Sequence, residues 1–183
     1  MFRMLKSLVL KMLSGPTIRP MIKAVKQQNK RLLVGVEIGV EEGYNAKSIL
    51  NELHIAKLFL VDPYQPYQTT YGNFSDRNYD MFNRVMHDLA KYGAKVAFVR
   101  KTSEEAIHDI PNGLDFVYID GNHDYEYVKK DIELYYPKVK LGGIIGGHDF
   151  RVTLQGVCRA VLEFASKNHI QLHGENVDWW IIK

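Results

Sequence analysis

Acidic and imidazole side chains follow four separate apolar runs of this 183-residue chain. Glu37 closes the first of these runs, Asp62 follows the second, Asp120 follows a later one, and the pair His148-Asp149 follows another. Carboxylates hold cations and accept hydrogen bonds from hydroxyl groups, and a histidine exchanges a proton near neutral pH. If these runs are neighbouring strands of one sheet, their ends bring this chemistry to one place.

A glycine turn after Glu37 indicates the kind of ligand. Gly39 and Gly43 let the backbone adopt positive φ and approach a ligand closely. The turn lacks the G-x-G-x-x-G spacing of dinucleotide folds. Glu41 and Glu42 lie inside it and would repel a pyrophosphate. The pattern therefore predicts a nucleoside ligand without phosphates, which S-adenosylmethionine fits, and it disfavours a nicotinamide oxidoreductase.

Two further turns carry candidate nucleoside contacts. Asp62 lies near the offset of roughly 20 residues at which an acid accepts hydrogen bonds from a ribose diol. The alternative for Asp62 is a cap or turn residue, although Pro63 argues against a helix starting there. Thr102 or Ser103 can cap a short helix, with Glu105 completing a capping box after Thr102. The same turn lies where an adenine would rest.

The ends of the fourth and fifth predicted strands indicate proton transfer and a metal site. Asp120 ends an apolar strand, where an unpaired carboxylate would be costly, so it needs a cation, a metal or hydrogen-bond donors. His123 follows it and is a candidate to remove a substrate proton, the alternative being a capping or packing histidine. Asp120, His148 and Asp149 together predict a divalent-cation site for magnesium, manganese or calcium.

The elements that position these residues alternate between strand and helix from about residue 32 onward. Segments with apolar residues at helical spacing separate most of the apolar runs. The last two runs are joined only by a short turn around residues 174–176. This order predicts an α/β fold with a doubly wound, mostly parallel sheet of seven strands, closed by an antiparallel hairpin. The seven runs are residues 32–36, 58–61, 96–99, 116–119, 144–145, 170–172 and 179–182.

The first part of the chain differs in charge from the rest. Residues 1–36 carry eight basic side chains and no acidic one. We predict a basic helical segment over residues 1–31 and one domain over residues 32–183. A basic amphipathic helix can lie on an anionic membrane, dock on a partner or pack on its own domain. The single cysteine, Cys158, excludes an intrachain disulfide and suits a cytoplasmic location.

Taken in order, these motifs resemble those of class I S-adenosylmethionine-dependent methyltransferases. The resemblance is strongest to a branch of small O-methyltransferases with a D-G-x-H-x-Y signature, and it covers residues 32–183. It implies a Rossmann-like sheet of seven strands. It also implies that Glu37, Gly39 and Gly43 line the methionine portion of the cofactor and that Asn45 reaches its carboxylate. The motifs are residues 37–43, Asp62, Thr102-Ser103, residues 120–125 and residues 141–150.

The resemblance also assigns the nucleoside and metal ends of the site. It implies that Asp62 binds the ribose hydroxyls and that Thr102-Ser103 lies by the adenine. Metal-dependent relatives have an acid at Asp120 and two acids, or an acid and an amide, at the position of His148-Asp149. His148 departs from that pattern, and imidazole is a softer ligand than carboxylate.

These observations predict an S-adenosylmethionine-dependent transfer of a methyl group to a hydroxyl of a small molecule, such as a sugar or a phenol. Asp120 and His123 are the catalytic candidates, and Asp120 is also a candidate cofactor contact. A divalent cation is a candidate assistant. We expect no nucleic-acid partner, and we expect self-association, with residues 1–31 available for it or for a membrane surface. The alternative is a non-catalytic module that binds S-adenosylmethionine and acts through a partner.

Overall fold

The computed structural model describes residues 18–74 and 77–183. The predicted amphipathic helix at the start of the chain therefore lies outside the described residues. Six α-helices are described, and two short 3₁₀ segments, Ala90–Lys95 and Tyr136–Lys138, follow the third and fifth of them. The helices are α1 (Pro20–Gln27), α2 (Tyr44–Glu52), α3 (Tyr79–Leu89), α4 (Ser103–Ala106), α5 (Tyr125–Tyr135) and α6 (Gln155–Lys167).

Seven of the strands form the main sheet, in the order β5-β2-β1-β6-β7-β9-β8. Neighbours from β5 to β7 pair in parallel, and β9 pairs antiparallel with both β7 and β8. This confirms the predicted sheet and its closing hairpin. The strands are β1 (Leu33–Ile38), β2 (Ile55–Val61), β5 (Val96–Val99), β6 (Leu114–Ile119), β7 (Val139–Gly147), β8 (Leu172–Glu175) and β9 (Asp178–Ile182).

The register of the parallel strands aligns their carboxyl ends. Ile38 lies opposite both Val61 and Ile119, and Ile119 lies opposite Gly147. The residue that follows each of these positions therefore lies at the same edge of the sheet. This alignment brings the candidate site residues together, as the sequence predicted.

A hydrophobic core lies on each face of the sheet. One contains the buried residues of α5 and α6, and the other contains those of α1, α2 and α3. Met21 and Ile22 of α1 are fully buried in the second core, beside Leu33 of β1. The part of the basic segment that the structure describes is thus packed against the domain.

One local prediction needs correction. The sixth predicted run, residues 170–172, overlaps β8 only at Leu172, because the pairing of Leu172 with Ile181 and of Glu175 with Asp178 fixes that strand. The segment after Asp62 contains a second small sheet formed by β3 (Tyr67–Thr69) and β4 (Gly72–Phe74). These strands are three residues long and form a hairpin with no apolar alternation to predict it.

Close packing at the centre of the sheet depends on one glycine. Gly35 of β1 leaves room for the ring of Phe116 on β6, because a Cβ atom built at position 35 would lie 2.1 Å from that ring. Phe116 is fully buried, so its ring has little space to move.

We predict that Gly35→Ala lowers the free energy of unfolding by about 1–3 kcal/mol, the usual cost of overpacking a core. Urea unfolding of both proteins measures the change. Gly72→Ala is the matched control, because its Cβ would meet nothing closer than the Phe74 ring at 4.0 Å. Equal losses in the two variants would contradict the packing argument.

Candidate active site

The site begins with the glycine turn between β1 and α2. Gly39 has φ +81°, and a Cβ atom there would lie 2.1 Å from the carbonyl oxygen of Asp120. Gly43 has φ +72° and donates its N–H to the carbonyl oxygen of Val40 at 2.8 Å. Only glycine fits the close approach at Gly39, so the turn holds the ends of β1 and β6 against each other.

Glu37 and Asn45 form a buried polar pair beneath this turn. The Asn45 Nδ2 donates to Glu37 Oε1 at 2.9 Å. Glu37 Oε2 and Asn45 Oδ1 are buried and have no hydrogen-bond partner among the described residues. Burial raises the pKa of Glu37 to about 8, although the hydrogen bond from Asn45 opposes the shift. Two unpartnered acceptors side by side fit a ligand that carries hydrogen-bond donors, such as an ammonium group.

Asp62 holds the glycine turn from the neighbouring strand. Its Oδ2 accepts from the N–H groups of Val40 at 3.0 Å and Glu41 at 3.1 Å, and its Oδ1 accepts from the N–H of Tyr64 at 2.8 Å. These contacts show the turn role that the sequence left open as the alternative. Asp62 also lines the cavity described next, so a ribose contact stays a prediction.

A cavity of about 240 Å³ opens at this edge of the sheet. Thr102 lies on its wall and caps α4, and the predicted capping box with Glu105 is present. The Ser103 hydroxyl contacts the carboxyl group of Asp131, a buried acid on α5. The residues that line the cavity include Gly39, Asp62, Thr102, Ser103, Asp120 and Asp131.

Asp120, His123 and Asp149 meet beside the cavity. Each offers one ligand atom, and the three atoms lie within 4.8 Å of one another. His123 Nε2 lies 3.3 Å from Asp149 Oδ2 and 3.6 Å from Asp120 Oδ1. His123 Nε2 is buried with no hydrogen-bond partner among the described residues, whereas Asp149 Oδ1 lies 2.9 Å from Arg151 Nη2. Two carboxylates and an imidazole form a donor set that fits a divalent cation.

The structure thus adds His123 to the predicted metal ligands. His148 Nδ1 lies 3.4 Å from Asp149 Oδ1 and 3.9 Å from Asp120 Oδ1, so it borders the same carboxylates. The tightest group nevertheless contains His123, which the sequence had assigned to proton transfer. Asp149 has φ +62°, an unfavourable conformation for a residue with a side chain, which marks the turn as strained.

Arg19 is a site residue that sequence reasoning did not single out. Its Nη1 lies 2.7 Å from Asp120 Oδ2 and donates to the Tyr118 hydroxyl at 2.8 Å. Burial opposes ionisation of Asp120, but His123 and Arg19 hold the pKa of its carboxyl group below the ordinary value. Asp120 is therefore a carboxylate with a cation on one oxygen and imidazoles near the other.

A second acid fixes the segment that carries Arg19. The fully buried Asp178 of β9 accepts from the Met21 N–H at 3.0 Å and from the Tyr118 hydroxyl at 3.1 Å. Its carboxylate thus holds both the start of α1 and the hydroxyl that Arg19 contacts. Arg19 reaches Asp120 because this network docks α1 on the sheet.

The β3-β4 hairpin extends over the cavity, which Tyr67 and Gln68 also line. Thr70 donates through its N–H and its hydroxyl to Asp124. The Tyr71 hydroxyl accepts from the Gly156 N–H at 2.8 Å. Polar contacts to the N-terminal ends of α5 and α6 hold the hairpin above the site, in the position of a cover.

Comparison with known proteins identifies the family whose sequence pattern this chain carries. The profile of a family described as "Methyltransferase domain" matches residues 36–150. An uncharacterized protein of Acanthamoeba polyphaga mimivirus is 32% identical over 124 residues, which are 65% of this chain and 52% of that protein. An uncharacterized protein of Sinorhizobium fredii is 29% identical over 128 residues, which are 66% of this chain and 13% of that protein. The chain thus spans about half of the first relative and much less of the second.

Solved structures share the fold at low sequence identity. The O-methyltransferase NovP superposes with a TM-score of 0.67 and 17% identity, covering 91% of this chain and 77% of NovP. An O-methyltransferase from Bacillus cereus, in complex with SAH, has a TM-score of 0.65 and 14% identity, with 98% and 88% covered. A TDP-rhamnose 3'-O-methyltransferase of calicheamicin biosynthesis gives 0.63 and 14%, with 97% and 91% covered. In the described parts of this chain, no helix is long and apolar enough to cross a membrane.

The raised pKa of Glu37 predicts how stability depends on pH. Between the ordinary value of 4.5 and about 8, the folded chain holds a proton that the unfolded chain has released. The free energy of unfolding should therefore fall as pH rises through this window, by at most about 1.4 kcal/mol per pH unit from this group. Asp131 acts in the same direction, because burial raises its pKa to about 7.

Glu37→Gln should make the pH dependence of the free energy of unfolding shallower. Urea unfolding at pH 5.5 and pH 8 measures this change. Glu42→Gln is the control, since Glu42 is exposed in the same turn. A slope that is identical in Glu37→Gln and the parent protein would show that Glu37 is ionised in the folded chain.

Proposed function

Because this chain belongs to the methyltransferase-domain family of S-adenosylmethionine-dependent enzymes, we propose that it transfers a methyl group to a hydroxyl of a small molecule. One observation carries the proposal. The cluster of Asp120, His123 and Asp149 lies beside the cavity, and the glycine turn forms part of the wall of that cavity. A cofactor on the turn and a hydroxyl at the cluster would lie side by side. Such positioning supplies much of the rate of a transfer between two bound molecules.

The methionine portion of the cofactor would lie against Glu37 and Asn45. Its ammonium group can donate to Asn45 Oδ1, and by its charge it would lower the pKa of Glu37, so that Glu37 Oε2 accepts as a carboxylate oxygen. Asn45 Nδ2 is already used by Glu37, so the free atom of Asn45 is an acceptor. This arrangement favours the ammonium group over the carboxylate that the resemblance had assigned to Asn45.

The nucleoside portion would occupy the cavity. Asp62 has lone pairs beyond its three backbone contacts and can accept from ribose hydroxyls. Gly39 and Gly43 keep side chains away from the cofactor, and Thr102-Ser103 lies on the wall where the base would rest.

Asp120, His123 and Asp149 would hold a divalent cation, with His148 beside them. The buried His123 Nε2, which has no hydrogen-bond partner among the described residues, and the nearby Asp149 Oδ2 support this fit. When bound, such an ion supplies an electrophile that lowers the pKa of the acceptor hydroxyl.

The side chains of the chain itself can also remove the proton. His123 Nε2 is placed to take the hydroxyl proton, and Asp149 and Asp120 stabilise the imidazolium that results. The acceptor oxygen then forms a bond to the methyl carbon as the bond from carbon to sulfur breaks. The products are the methyl ether, S-adenosylhomocysteine and the proton on His123.

A small-molecule acceptor, self-association and a cytoplasmic location complete the proposal. The alternative, a binding module without catalysis, would bind the cofactor and transfer no methyl group to any acceptor.

We predict that the parent protein binds S-adenosylhomocysteine in calorimetry and does not bind NAD. Asp62→Ala should weaken binding by about 1.5–3 kcal/mol, the value of a hydrogen bond to a charged group, because the ribose contact and the support of the turn are both lost. Glu42→Ala is the control. Unchanged affinity in Asp62→Ala would remove Asp62 from the site.

Transfer of labelled methyl groups to a panel of sugars and phenols tests the reaction. If His123 removes the proton unaided, His123→Ala should lower kcat by about 10²–10⁴-fold, and a chelator should have no effect. If a cation assists, EDTA should abolish transfer, and magnesium or manganese should restore it. His108→Ala, a substitution at an exposed histidine away from the cavity, is the control. Cofactor binding without transfer to any acceptor would favour the non-catalytic module.

A further inference from the structure

One buried acid at the cavity has no part in the proposed chemistry. Asp131 lies on α5, not at a strand end, and is only 4% exposed. The Ser103 hydroxyl contacts its Oδ1. Its Oδ2 has no hydrogen-bond partner among the described residues, and it lies 3.8 Å from where a Cβ atom of Gly121 would be. Both Asp131 and Gly121 line the cavity.

The position of Asp131 is costly for a purely structural residue. It shares the buried face of α5 with Val128, Ile132 and Tyr135, and burial raises the pKa of its carboxyl group to about 7. Aspartate also has a lower helix propensity than most residues. Docking of α4 on α5 does not need it, because the Tyr135 hydroxyl already donates to the Ser103 carbonyl oxygen at 2.9 Å.

The place of Asp131 in the cavity indicates which part of a ligand it meets. Under the proposed function, the ribose lies at Asp62, and the base extends from there toward Ser103. Asp131 contacts Ser103 and lines the same cavity, so a base that rests beside Ser103 would meet Asp131 at its edge. An adenine carries an exocyclic amine on its edge, which is a hydrogen-bond donor, and the free oxygen of Asp131 is an acceptor.

We infer that Asp131 selects the adenine base: its Oδ2 accepts a hydrogen bond from the exocyclic amine, while the Ser103 hydroxyl fixes Oδ1. The inference rests on the proposed function, because it requires a nucleoside in this cavity. Asp131 is then a residue that determines specificity for the cofactor and takes no part in methyl transfer.

Two ligands and three variants test this role by calorimetry. The ligands are S-adenosylhomocysteine and its purine riboside analogue, in which a hydrogen atom replaces the amine. The parent protein should prefer the adenine compound by about tenfold or more, as expected for a hydrogen bond to a charged or strongly polar group. Asp131→Ala should reduce this preference to within about threefold, chiefly by weakening the adenine compound.

Asp131→Asn should retain most of the preference, because the amide can donate to the Ser103 hydroxyl and still offer an oxygen to the amine. Glu133→Ala is the matched control, an acid on the exposed face of the same helix, and it should keep the full preference. Circular dichroism of each variant confirms that it folds.

The ratio of the affinities for the adenine compound and its purine riboside analogue distinguishes a selective role of Asp131 from a structural one. If Asp131→Ala weakens both compounds equally, or keeps the full preference for adenine, Asp131 is a structural residue and the inference is wrong while the proposed function stands. A parent protein that binds neither compound would overturn the proposed function, and the inference with it.

Discussion

Buried carboxylates at one edge of the sheet determine much of what surrounds them. An ionised acid taken out of water costs several kcal/mol unless it gains a partner, so each strand end that carries one needs a compensating group nearby. Glu37 is compensated by Asn45 and by a raised pKa, whereas Asp62 receives the N–H groups of the glycine turn. Asp120 is paired with Arg19. The turn and the docking of α1 thus serve the electrostatics of the edge as well as its shape.

The order of the elements was predictable because most strands of the sheet are apolar runs and the longer helices between them carry periodic apolar stripes. Parallel strands end at one edge, so the acids that follow them had to converge. The β3-β4 hairpin was not predictable, because three-residue strands with exposed side chains leave no periodic pattern. The exact placement of β8 depends on its pairing with β9, which its own composition does not specify.

Individual partners were harder to predict than the sheet. Arg19 lies in a run of basic residues that suggested a solvated face, and its partner Asp120 is 101 positions away along the chain. His123 and His148 both border Asp149, and only side-chain geometry distinguishes them. Asp131 did leave a signal: it lies three residues after Val128 and four before Tyr135, on the buried stripe of α5. A charged residue at a core position indicates a site.

The position of Arg19 in the chain determines which segment supplies the charge beside Asp120. Arg19 reaches Asp120 from outside residues 36–150, the stretch that carries the family pattern. The charge beside the reacting groups can therefore change through replacement of the segment before β1, with no substitution inside the inherited core. Asp178, which docks that segment, also lies outside the matched stretch. The electrostatic environment of Asp120 therefore depends on residues at both flanks of the stretch that the family profile matches.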